Sequence, residues 1–332
     1  MLLREIKTEI FMLKVLYLCN KKYYETKMSR VRFHSISALK KVTDLRWSGP
    51  SWDNYDDTKT VQENIDIIYV NEPPDVVIAY KPLEMKKYDK IKSLRCIRYN
   101  EMWDKSWTIE EITKSKANLI ICHHSNEAEE YRQIFRNFNL HPLKFAPIPH
   151  CAEATIFKDY QHPKQYDIIL IGALRADIYP LRKRLHDILR KMSSSTSYKY
   201  NVAVISHPGY EVTTAYSNKA AKEYAEMINS AKIVVSCGSI YNYRLGKYVE
   251  VPMCNTALAA DMPLEQQEEF SKFLIQIDMS MSDEEIINKL VFYLENEDER
   301  NMLCAEGKKY ADTYTQEKYA QDFISIVEEA LA

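Results

Sequence analysis

Lys247 and Glu250 stand three residues apart in RLGKYVEVPMCNTALAADMP, Arg244 to Pro263, soon after the apolar run AKIVVSCGS, Ala231 to Ser239. On a helix that spacing puts an ammonium and a carboxylate on one face. A helix beginning near Gly246, just past the end of a strand, would aim its free N–H groups and positive dipole end into a crevice where a phosphate is welcome. The cation and a ribose-binding carboxylate would then flank a diphosphate. The same spacing also fits an exposed surface pair, worth only ~0.2–0.5 kcal/mol.

Other residues capable of chemistry follow apolar runs in the same way. Gly172 and Ala173, after DIILI, would let the chain turn tightly against a pyrophosphate, to which Arg175 and Arg182 could bring charge. His207-Pro208-Gly209-Tyr210 reads as a turn whose Tyr210 could stack on a nucleobase. His123 and His124 follow NLIIC, and as strand neighbours they point to opposite faces and cannot chelate one metal together. Asn100, Glu101 and Asp104 follow LRCIRY, positioned for acceptor hydroxyls or for general-base duty. Each has a plainer reading beside it: solvated arginines, an exposed turn tyrosine, structural histidines. DNYDD, Asp53 to Asp57, is acidic but lies in a polar stretch with no strand before it, so it reads as a loop and no metal site is expected.

Such residues need strands behind them. Apolar runs suited to buried parallel strands alternate with helical patterns: KVLYLC, DVVIAY, LRCIRY, NLIICHH and KFAPIP, then DIILIG, YNVAVIS, KIVVSC, TALAAD and FLIQID. Two sets of strands predict an α/β chain with two Rossmann-like sheets. The polar, Pro-containing FKDYQHPKQ, Phe157 to Gln165, has few residues to bury and separates the two sets, so it reads as a linker. Domains over residues 1–157 and 165–312 follow, with residues 1–11 as a peripheral extension. Tyr319, Phe323, Ile326, Val327 and Ala330 form a stripe at helical spacing, so residues 313–332 predict a terminal helix that must pack on something.

Composition narrows the function. The 332 residues carry 45 basic and 47 acidic side chains, leaving no overall field to attract nucleic acid. Seven scattered cysteines, with no C-x-x-C and no histidine at zinc-finger spacing, predict reduced thiols in a cytoplasmic compartment. No uninterrupted apolar run approaches the ~18–20 residues of a membrane span. The start, MLLREIKTEIF, is broken by Arg4, Glu5, Lys7 and Glu9 and is not a secretory signal. A nicotinamide-dependent oxidoreductase would need G-x-G-x-x-G after a strand, and with six glycines in all the chain has none.

Lys247, Glu250, Val251, Pro252, Met253, Cys254 and Asn255 resemble the donor-site helix of group 1 (family 4-like) GT-B glycosyltransferases, above all the spore maturation protein branch, with Met253 and Asn255 replacing small residues. On either side, YDIILIGALRADIYPLRKRLHDIL, LAADMPLEQQEEF and YLENEDERNMLCAEGKKYADTYTQEKYAQDFISIVEE resemble that branch in the same order. In the first half only MLKVLYLCNKKYYETKMSRVRFHSISALKKV looks similar, as an opening strand, loop and Arg-rich helix start.

The resemblance implies a GT-B fold, with two Rossmann-like domains facing a cleft and the last helix crossing back to the first. It implies transfer of a hexosyl or related sugar from a nucleotide-sugar donor, UDP- or GDP-linked ahead of ADP-linked, to a hydroxyl of a glycan or glycoconjugate. No metal, no further cofactor and retention of configuration are expected with it. Lys247, with Arg175 or Arg182, would stabilise the departing diphosphate, and Glu250 would bind ribose. Arg30, Arg32 and His34 would face the cleft beside His123 and Glu101. Eight positions before Glu250, where many family members carry a second glutamate, stands Asn242. It is expected at the donor sugar, with Tyr241 or Tyr243 against the ring. A GT-B-like protein that binds nucleotide or glycan without turnover is the alternative.

Overall fold

A computed structural model describes residues 12–136, 143–194, 199–205, 213 and 217–332. The first half runs β1 (Lys14–Leu18), α1 (Lys21–Thr26), α2 (Arg30–Val42), β2 (Asp44–Ser48), α3 (Val61–Ile68), β3 (Val76–Ala79), β4 (Leu94–Arg98), α4 (Lys105–Ser115), β5 (Leu119–Cys122), α5 (Ser125–Arg136) and β6 (Lys144–Pro147). The second runs β7 (Tyr166–Ile171), α6 (Pro180–Ser194), β8 (Val202–Ile205), α7 (Ser217–Asn229), β9 (Ala231–Val235), α8 (Lys247–Met253), β10 (Ala257–Ala260), α9 (Gln267–Phe270), β11 (Ile275–Gln276), α10 (Asp283–Glu295), α11 (Glu297–Ala311) and α12 (Gln316–Leu331).

Every strand pair is parallel, in two sheets ordered β2-β1-β3-β4-β5-β6 and β11-β10-β9-β7-β8. The central strands are buried on both faces, as helices packed on either side of a parallel sheet require, which is why they read as unbroken apolar runs. β2 was not legible in that way. In DLRWS only Leu45 and Ser48 are buried while Arg46 is exposed, the pattern of an edge strand paired with β1 alone.

Local chemistry starts several of the helices. The Ser29 hydroxyl accepts from the Arg32 amide at 3.3 Å and opens α2, which puts Arg30 at its first position. Thr60 with Glu63, and Ser282 with Glu285, close capping boxes on α3 and α10. Asn255 ends α8 with a φ of 53°, a left-handed conformation that asparagine adopts more readily than most residues, so it can stand where the resembled helix carries glycine.

The segment read as a linker is irregular but not loose. Phe157 is fully buried in the second half's core, the Tyr160 amide donates to Asn229 Oδ1 at 2.8 Å, and Lys164 Nζ reaches the Asn229 carbonyl at 3.0 Å. Phe157 is the one buried residue of the stretch, in keeping with the expectation of few residues to bury. On α12, Tyr319, Ala320, Phe323 and Val327 are buried in one core with β1, β3 and α2, and Arg98 Nε donates to the Tyr319 hydroxyl at 3.0 Å. Residues 1–11 lie outside the described residues.

Candidate active site

The carboxyl ends of the two sheets meet. After β5, the Ser125 amide and hydroxyl and the Asn126 amide donate to Glu265, which follows β10. After β9, the Tyr243 hydroxyl donates to Glu127 of α5 at 2.6 Å. α2 reaches across at its start, where Arg30 Nη2 lies 2.6 Å from Glu250 Oε1, and one turn on, where His34 Nε2 lies 3.2 Å from Asn218 Oδ1 of α7.

On the second-half side, α8 begins at Lys247 after Gly246, where a Cβ would stand 3.2 Å from Glu250 Oε1. Glu250 is buried. Lys247 is half-buried and makes no hydrogen bond or ion pair among the described residues; burial, and then the nearby Arg182 charge, lower its ammonium pKa to about 7. Arg182, on α6, is buried with no carboxylate partner among the described residues. Its Nη1 donates to the Ala173 carbonyl at 3.1 Å and its Nη2 to Cys237 at 3.4 Å, its plane covers the Tyr179 ring at 4.0 Å, and its Nε is buried without a partner. Gly172 makes room for it. A Cβ there would lie 3.0 Å from Arg182 Nη1, and the φ of 141° is one that a side chain rarely tolerates. Two cations without ion-pair partners among the described residues, beside a buried carboxylate, have the chemistry to hold an anion next to a hydrogen-bond acceptor.

The structure brings Gly172, Ala173, Arg182, Gly246, Lys247 and Glu250 together and sets other expected residues apart from that group. Arg175 is exposed and paired with Asp177 at 2.6 Å. The Tyr243 ring stacks on His124 at 4.0 Å while its hydroxyl is held by Glu127, which commits it to the contact between the two halves. Asn242 is exposed with a φ of 50°. Tyr210 lies outside the described residues.

The two histidines are engaged. His34 donates from Nε2 to the Asn218 amide oxygen, and burial together with Arg30 lowers its pKa to about 4. His123 donates from Nδ1 to the Ile148 carbonyl at 2.9 Å and accepts at Nε2 from Arg98 at 3.0 Å, with its ring on His150 at 3.8 Å. Burial keeps it neutral, and neither nitrogen is free to take a proton from a substrate. Glu101 is half-buried; it lines a separate cavity of about 230 Å³ at the carboxyl ends of β3 and β4, and burial raises its pKa. Among the described residues no group of three or more His, Cys, Asp or Glu side chains could hold a metal ion.

Several residues at this meeting of the halves carried no signal in the sequence. Asn218, Glu127 and Glu265 each find their partner more than a hundred residues away, where no local spacing can announce it. Buried Arg244 likewise donates from Nη1 to the His150 carbonyl at 2.9 Å and lies over the Tyr314 ring at 4.1 Å.

Residues 182–325 match the family described as glycosyl transferase-like. A glycosyltransferase from Rickettsia africae superposes with a TM-score of 0.61 at 11% identity over 96% of this chain and 99% of its own. HepE from Anabaena, solved with UDP and glucose, gives 0.58 at 8% identity over 95% and 99%. A Listeria monocytogenes protein described as a UDP-N-acetylglucosamine 2-epimerase gives 0.56 at 13% identity over 96% of both chains. No curated protein matches in sequence. The fold is GT-B: two parallel sheets with surrounding helices, their carboxyl ends facing one another. No helix among the described residues is long and apolar enough to cross a membrane, and all seven cysteines are buried and free.

Proposed function

We propose that the protein is a glycosyltransferase that moves a sugar from a nucleotide-sugar donor to a hydroxyl acceptor, in the manner of the spore maturation branch and without a metal ion. The observation that carries this reading is the pair of cations Arg182 and Lys247, without ion-pair partners among the described residues and beside buried Glu250. A diphosphate between them would gain charge-assisted hydrogen bonds, and its growing negative charge as the sugar leaves would be stabilised most. Glu250 would accept from the ribose hydroxyls once Arg30 has moved aside. The UDP bound to HepE supports a uridine carrier, and retention of configuration is carried over from the resemblance.

A second reading is a binder of nucleotide or glycan without turnover, favoured by the engagement of both His123 nitrogens and by the pKa of His34, lowered to about 4, which makes it a weak base. One fold serves several chemistries, an epimerase among its likenesses here, so products decide. Incubation with UDP- and GDP-sugars, with release of nucleoside diphosphate and sugar products followed by chromatography, separates the cases. Diphosphate release that rises with a saccharide acceptor supports transfer. Conversion of the sugar on an intact nucleotide, or no turnover despite tight UDP binding, contradicts it.

A further inference from the structure

The cavity lined by Glu101 has a chemistry of its own. It opens between the ends of β3 and β4 and the flank of α4, and at about 230 Å³ it falls below the ~300–1,000 Å³ of drug-sized sites, leaving room for a single ring. Trp103 and Trp107 line it and are 54% and 44% exposed, with Trp107 edge-on to Tyr99. Large aromatic faces held in water are costly unless something covers them.

Its cations are already engaged. Lys81 holds the Tyr23 hydroxyl at 2.7 Å and Glu84 at 3.0 Å. Arg98 donates to Tyr319, Asn100, Ser35 and His123, and Arg32 to Tyr17 and the Arg98 carbonyl while lying over the Tyr80 ring. What is left unclaimed are acceptors. Among the described residues Glu101 makes no hydrogen bond, and Glu111, 1% exposed, takes the Tyr99 hydroxyl on Oε2 at 2.5 Å and leaves Oε1 buried without a partner. A ligand must therefore bring hydroxyl donors for the carboxyl groups and an apolar face for the indoles. A free cation is repelled by Arg32, Arg98 and Lys81, and an anion finds those cations already engaged.

We propose that this cavity binds one uncharged sugar ring, its C–H face on Trp103 and Trp107 and its hydroxyls donating to Glu101 and to Oε1 of Glu111. Naming that ring as part of the acceptor rests on the glycosyl-transfer reading; the sugar site itself does not.

The test is a titration of the full chain with methyl glycosides of neutral hexoses, with glucuronate and glucosamine as charged controls, followed by tryptophan fluorescence and by saturation-transfer NMR. UDP is titrated in parallel. At least one neutral glycoside should bind more tightly than both charged sugars. Trp103→Ala, at an exposed position that folding does not need, should weaken it about tenfold or more. Glu111→Gln, which presents an amide N–H₂ where an acceptor stood, should do the same. Both variants should keep wild-type affinity for UDP. Failure of every neutral glycoside to bind, binding that both substitutions leave untouched, or charged sugars binding equally well would overturn the site. Glycoside binding in a protein that does not bind UDP would uphold this cavity and remove the transfer reading instead.

Discussion

The Arg30 guanidinium at the start of α2 lies 2.6 Å from the Glu250 carboxylate on α8, joining the two halves at the point where a ribose is proposed to bind. Arg30 also lies over the Phe157 and Tyr224 rings, at 5.0 and 5.4 Å. Without nucleotide, the buried acceptor thus has its partner inside the protein, which ribose hydroxyls would displace in the proposed complex.

This pair sets the first prediction. Arg30→Ala leaves Glu250 buried without its cation and should lower the stability of the nucleotide-free protein by about 1.5–3 kcal/mol. Bound UDP should restore part of that loss, so the rise in Tm on adding saturating UDP should be larger in the variant than in the wild type. Equal rises would mean that the nucleotide does not engage Glu250.

Lys247 predicts a pH dependence. Its pKa is lowered to about 7 by burial and by Arg182, and a bound diphosphate would raise it again. Binding then takes up a proton, so UDP affinity should be full below pH 7 and fall by up to tenfold per pH unit above it. Calorimetry in buffers of different ionisation enthalpy should show proton uptake at pH 8. Lys247→Met should abolish both the uptake and the slope.

Gly172 can be tested through Arg182. A methyl group at a φ of 141°, 3.0 Å from the guanidinium, strains the turn and pushes the cation away. Gly172→Ala should cost about 1–3 kcal/mol of stability and weaken UDP binding beyond what the lost stability explains. Donor cleavage by the wild type should survive EDTA, because the charge at the proposed diphosphate comes from Arg182 and Lys247. Strict dependence on magnesium or manganese would show the site to be drawn wrongly.

Glu127 couples stability to pH. Burial raises its carboxyl pKa from 4.5 to about 7, against the opposing donation from Tyr243 and Met102. Between those two values the folded chain holds the proton that the unfolded chain has released. Stability should therefore fall as pH rises from about 4.5 to 7, by at most about 1.4 kcal/mol per pH unit from this group. Glu127→Gln should flatten that slope in urea unfolding at pH 5 and pH 7.

How much was legible follows from where each partner lies. The central strands announce themselves because both of their faces are buried, and Lys247 and Glu250 share a helix turn, so spacing alone could pair them with a strand end. β2 hid because an edge strand needs only one or two apolar residues. Arg30 and Glu250 are 220 positions apart, and nothing near either residue says that they touch. His123 looked available at a strand end, yet Ile148 and Arg98 occupy both of its nitrogens, a fact of packing and not of sequence. Glu111 sits mid-helix in α4 and reads as a surface residue until Tyr99 and the cavity are placed around it.

The central claim, that a nucleoside diphosphate sits on Arg182, Lys247 and Glu250, is tested most directly by calorimetric titration of UDP into the wild type and into Glu250→Ala. Three-dimensional integrity of the variant is first confirmed by its circular dichroism. The account predicts measurable wild-type binding that weakens by about 10–150-fold in the variant, the cost of lost bonds to a charged acceptor of about 1.5–3 kcal/mol. Binding of UDP with the same affinity to both proteins would contradict it.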